Sequence, residues 1–178
     1  MQTQVHPLEP YFQQAVHDSY EGKLGLNDPD VTGYVTRMLC EFSDSVNLFR
    51  LRDGMGRPVE DLDEMMRAAD PVTGTAASFD AERSMRKYIG DYALFVAGMY
   101  PEGIDSGLNG LARRRTLGDL IRAGKESYYI VSQFNLFEYK KEAALFARLS
   151  ERFESCILGL ALIREDLSDR RALPPDAH

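Results

Sequence analysis

The chain has 178 residues, 44% of them apolar and 28% charged, which fits one soluble globular domain and excludes a disordered chain. Its net charge of −7 and pI near 5.0 argue against broad nucleic-acid binding, because phosphate contacts are made by fields of Lys and Arg. Cys40 and Cys156 sit inside helix-like apolar patterns and read as reduced core residues, too few for a disulfide framework or a zinc site.

The opening stretch, MQTQVHPLEP, has neither a basic nor an apolar leader region, so no signal peptide is expected. Apolar runs such as residues 157–163 are far short of the ~20 residues a membrane span needs, and no membrane contact is expected. The expected compartment is the cytosol.

In chain order, a first helix is predicted from near Pro10, with Tyr11, Phe12, Ala15 and Val16 on one face, fading at Gly22 to Gly25. Asn27-Asp28-Pro29 supplies a capping side chain ahead of a first-turn proline. From there Val31, Tyr34, Val35, Met38, Leu39, Phe42, Val46 and Phe49 recur at spacings of three and four, which predicts a helix of five turns. The segment 52–58 is a turn by composition, with a short hairpin over 48–59 as the alternative. A short acidic helix follows over 59–69, then a loop to Ser78.

The central prediction is a helix over 80–101, capped by Asp80. Its buried stripe is Met85, Tyr88, Ile89, Tyr92, Phe95, Val96 and Met99. Residues 92–100 are apolar, aromatic or glycine throughout, and a helix apolar all round must be wrapped by its neighbours. Gly90, Ala93 and Ala97 form an adjoining face with almost no bulk. Glycine in a helix costs about 1 kcal/mol relative to alanine, so Gly90 calls for a closely approaching neighbour.

Beyond the loop 102–110, Thr116 and Asp119 form a capping box for a helix running to near Asn135, either unbroken or turning at Gly124. The last helix, over 137–167, carries Phe146, Leu149, Phe153, Cys156, Leu160, Ile163 and Leu167 as a heptad seam. The tails 1–9 and 170–178 are expected to fray. The sum is all-α: one domain, a helical bundle of about four long helices plus one or two short ones.

Metal chemistry has little to work with. The three histidines are His6, His17 and His178, and neither Glu-x-x-His nor His-Glu-x-x-His occurs. Gly54-Met55-Gly56 lacks the third glycine of a dinucleotide fingerprint, since position 59 is Val59. Asp61-x-x-Glu64 and Glu102-x-x-Asp105 echo the magnesium pairs of helical pyrophosphohydrolases, but the second pair falls in a loop. No cofactor is expected.

Asp91 is the titratable residue that stands out. It falls about 40° from Phe95 at the edge of the buried stripe, given about 100° per residue. An unpaired buried charge is costly, so a partner is required, with Lys87 or an arginine from another helix as the structural solution. The functional alternative is a polar site in an interhelical pocket formed by Asp91, Tyr88, Tyr92, Tyr128 and Lys125. Arg113, Arg114 and Arg115 form the strongest basic run and, with a turn at Gly124, a helix-turn-helix candidate for DNA; the acidic chain and Glu126 disfavour it.

The run Tyr88-Ile89-Gly90-Asp91-Tyr92-Ala93-Leu94-Phe95-Val96-Ala97-Gly98-Met99-Tyr100-Pro101-Glu102, followed by Gly124-Lys125-x-Ser127-Tyr128, resembles a group of bacterial all-helical proteins of uncharacterised function. The resemblance implies an all-helical fold and carries no activity. The functional expectation is a non-enzymatic interaction or regulatory protein. Its partner would be a second copy or another protein, and the long apolar seam of the last helix motivates a homodimer.

Overall fold

The computed structural model describes residues 5–43, 62–72, 74, 76, 78–101 and 116–172. Those residues form an all-α fold with no strand among them. They contain seven α-helices rather than four long and one or two short: α1 (Glu9–Val16), α2 (Pro29–Phe42), α3 (Leu62–Ala68), α4 (Phe79–Met99), α5 (Leu117–Gln133), α6 (Lys140–Glu151) and α7 (Phe153–Ala172). A π-helical segment, His17–Lys23, prolongs α1, and a 3-10 turn, Phe137–Tyr139, precedes α6.

Start signals work as the sequence predicts at two helices. Asp28 caps α2 by accepting from the Val31 N–H at 3.3 Å. Thr116 and Asp119 make both bonds of the capping box on α5. At α4 the cap is Ser78, which accepts from the Ala81 N–H at 3.1 Å; Asp80 is already inside the helix. The predicted extension of α2 to Phe49 and the hairpin alternative over 48–59 lie outside the described residues.

α4 is the hub, packing on α2, α3, α5 and α7. The residues it buries most completely are Tyr88, Ile89, Gly90, Asp91, Ala93, Leu94, Ala97 and Gly98, together with Arg83 and Arg86. Met85, Tyr92, Phe95, Val96 and Met99, predicted for the core stripe, are only partly buried. The reason is bulk: the face of small residues lets neighbours press closest, and the large side chains fill its flanks. Gly90 lies under the Tyr128 ring of α5, and Gly98 under the Leu160 side chain of α7.

The predicted last helix is broken once. Arg152 has φ −103° and ψ 23°, which turns the axis between α6 and α7. α6 then packs chiefly on α5, and α7 on α4. Phe153, just past the break, sets its ring directly on Gly124. The seam residues Phe146, Leu149, Phe153, Cys156, Leu160 and Ile163 are all buried within the protomer, and Leu167 is half-buried.

The π-helical segment is docked on α7. It carries Tyr20 into the core, where the ring lies on Gly159 and the hydroxyl donates to the Cys156 carbonyl at 2.6 Å. Gly25, at φ 66°, then redirects the chain toward α2.

Candidate functional site

Asp91 is buried where α2, α4 and α5 meet. Its Oδ1 accepts from the Tyr34 hydroxyl of α2 at 2.5 Å and from the Tyr128 hydroxyl of α5 at 2.7 Å. Its Oδ2 accepts from Lys87 Nζ, one turn earlier on α4, at 3.4 Å. The ammonium of Lys87 also lies over the Tyr34 ring, 5.4 Å from its centroid.

Burial raises the carboxyl above the ordinary carboxylate range, and Glu41 adds to that; Lys87 and the two tyrosine hydroxyls pull the other way. Tyr34 and Tyr128 are pushed well above the usual phenol range, first by burial and then by the Asp91 charge. They therefore remain protonated donors. A general base needs a lone pair turned toward a substrate. Here one oxygen holds two phenols and the other faces an ammonium, which suits a tie between three helices.

The other predicted pocket residues separate from this cluster. Tyr88 and Tyr92 stack on each other, with centroids 6.2 Å apart, and Tyr88 leans on Phe42. Lys125 donates to the Glu154 carboxylate at 2.9 Å near the surface. Tyr34 is the member that sequence reading placed only in the apolar stripe of α2; a phenol in such a stripe needs a partner for its hydroxyl, and that was the available signal.

α5 runs unbroken through Gly124, so the turn of the helix-turn-helix reading does not form there. Arg113, Arg114 and Arg115 lie outside the described residues. Both cysteines are buried thiols; burial pushes Cys156 up to about 12 and also raises Cys40, so neither offers a ready thiolate. Among the described residues no group of three or more His, Cys, Asp or Glu side chains is placed to hold a metal ion, and no helix is long and apolar enough to cross a membrane.

A second arrangement lies at the α5–α6 connector. Phe137 has φ 53°, a left-handed conformation that costs a bulky residue ~1–2 kcal/mol, and its side chain is 93% exposed. Leu136 beside it is 67% exposed, and Phe79, at the start of α4, is 79% exposed. Phe79 meets Phe134 edge to face, with centroids 6.4 Å apart, which joins the two segments at one end of the molecule.

The connector is held firmly from below. Tyr139 donates to Asp80 Oδ1 at 2.6 Å, a bond that raises its phenol to about 12. The Arg83 guanidinium lies 4.1 Å from the centroid of the Tyr139 ring and pairs with Glu142. Sequence reading took Phe137 as the start of the last helix, whereas the structure holds it in a 3-10 turn ahead of α6, which begins at Lys140; the left-handed backbone at Phe137 leaves no mark on the spacing of the seam.

No protein-family model, curated protein or solved structure matches the chain.

Proposed function

We propose that the chain is a non-catalytic interaction protein of the cytosol that pairs with a second copy of itself through the aromatic end. Phe137 carries the reading: it is a large aromatic held in a strained backbone conformation and turned into solvent, where it buries little of its surface among the described residues. Exposed aromatics are enriched in the buried centres of protein interfaces. The Asp80–Tyr139–Arg83–Glu142 chain below the connector sets its shape before binding, which lowers the ordering cost of association.

A two-fold interface brings one patch onto itself, so its charges have to be self-complementary. Around Phe137 the chain offers both signs: Asp80 on α4, bonded to Tyr139, Glu138 in the turn, and Lys140 and Lys141 at the start of α6. The seam of the last helix, the original reason to expect a dimer, supports it less, because that seam is covered inside the protomer.

Light scattering across micromolar concentrations tests the reading. A mass twice the 20.1 kDa of the chain is expected, returning to the single-chain mass in Phe137→Ser combined with Phe79→Ser. A single-chain mass for the unmodified protein at every concentration would overturn it.

A further inference from the structure

We propose that Met66 is a site of oxidation to the sulfoxide, and that the oxygen it gains fastens α3 to α4 and α5. Met66 is half-buried on α3, whereas Met65 beside it is fully buried in the core. α3 is the shortest α-helix among the described residues and packs on α4 and α5. What sets Met66 apart is the set of groups that face its sulfur.

Donors from two other helices converge on that sulfur. Arg86 of α4 donates from Nη1 at 3.3 Å, and the fully buried Ser127 hydroxyl of α5 donates from 3.7 Å. A thioether is a weak acceptor, and this one serves a buried cation. The Arg86 side chain is only 8% exposed, and its Nε has no hydrogen-bond partner. The Glu126 carboxylate stands 3.8 Å from Nη1, beyond hydrogen-bond reach, and is itself half in solvent. A buried guanidinium short of acceptors is costly. The surroundings of Met66 therefore hold donors in excess and lack one strong acceptor, which a sulfoxide oxygen supplies. Met85 and Met99 are also partly buried, but they accept no hydrogen bond among the described residues.

The oxidant is a hydroperoxide, which delivers one oxygen atom and accepts two electrons. A sulfur lone pair attacks a peroxide oxygen, and the S–O bond forms as the O–O bond breaks. The other oxygen leaves with the remaining proton, as water when the oxidant is hydrogen peroxide. In an apolar core the resulting sulfoxide disrupts packing. At Met66 the new oxygen meets donors already turned toward the sulfur, and the long Arg86 side chain gives way to admit it. A charge-assisted N–H···O bond then replaces a weak N–H···S contact. Oxidation ties three helices together here instead of loosening them.

Treatment of the full chain with hydrogen peroxide, read by peptide mass spectrometry and thermal unfolding, tests the site. Met66 is expected to form the sulfoxide in the folded protein. Tm should rise by about 3 °C relative to Met66→Leu treated in the same way, a comparison that cancels oxidation of the other methionines. A second arm needs no oxidant. Glutamine carries an amide oxygen close to where the sulfoxide oxygen would lie, so Met66→Gln should melt above Met66→Leu, the reverse of the order at an apolar position. In an Arg86→Met background that advantage should vanish. The proposal is overturned if Met66 stays reduced while Met85 and Met99 are oxidised, or if Tm is unchanged or falls on its oxidation. It is overturned equally if Met66→Gln melts at or below Met66→Leu, or if its advantage survives the loss of Arg86.

Discussion

Burial keeps water from Asp91, and the folded chain therefore holds a proton on its carboxyl more tightly than the unfolded chain does. The contribution of this group to stability is complete below about pH 4, where an unfolded Asp titrates, and is lost as pH rises through the raised folded value. Asp91→Asn removes that titration. Urea denaturation from pH 4 to 8 should show the wild type losing stability relative to Asp91→Asn as pH rises, and a difference that is flat or grows would contradict the raised carboxyl. Tyr128→Phe tests the bonds themselves: it leaves the carboxylate short of a donor and should cost about 1–3 kcal/mol. Phe137 behaves oppositely. Its side chain touches so little that Phe137→Asn, which suits a left-handed backbone, should leave stability unchanged or raise it by up to ~1 kcal/mol in chemical denaturation.

Among the elements, α4 carries the clearest lesson. Its run of apolar residues predicts a wrapped helix, and four helices do pack on it. Which side they press on follows from bulk: Gly90 and Gly98 admit Tyr128 and Leu160, while Tyr92 and Phe95 stand at the margin. Gly90→Ala and Gly124→Ala should each destabilise by about 1–3 kcal/mol, because the added methyl meets an aromatic ring and overpacking outweighs the gain in helix propensity. Thermal unfolding that rises in both would refute the close contacts. α6 is tied to the start of α2 by Arg148, whose Nε donates to the capping Asp28 at 2.8 Å and whose Nη2 donates to Asp30 at 3.0 Å. The pair is partly exposed, so Arg148→Ala should cost only about 1 kcal/mol, less at high salt, as read from urea midpoints.

At the scale of the whole molecule, an all-α fold was legible because helical spacing recurs in segment after segment, and periodicity is a property of the chain alone. The caps at Asp28 and Thr116 were legible for the same reason: their bonds reach only three residues along the sequence. The break at Arg152 was not, since one residue can turn a helix axis without disturbing the three-and-four spacing of the seam on either side. The need for a partner at Asp91 could be read from its place beside an apolar stripe, and Lys87 was in reach one turn away. That Tyr34 and Tyr128 complete the set was decided by helices 57 and 37 residues distant along the chain. The exposure of Phe137 belongs to that second kind. Spacing along the chain determines which residues share a helix face, whereas what each face meets depends on how the helices fold back, and there only the tertiary structure decides.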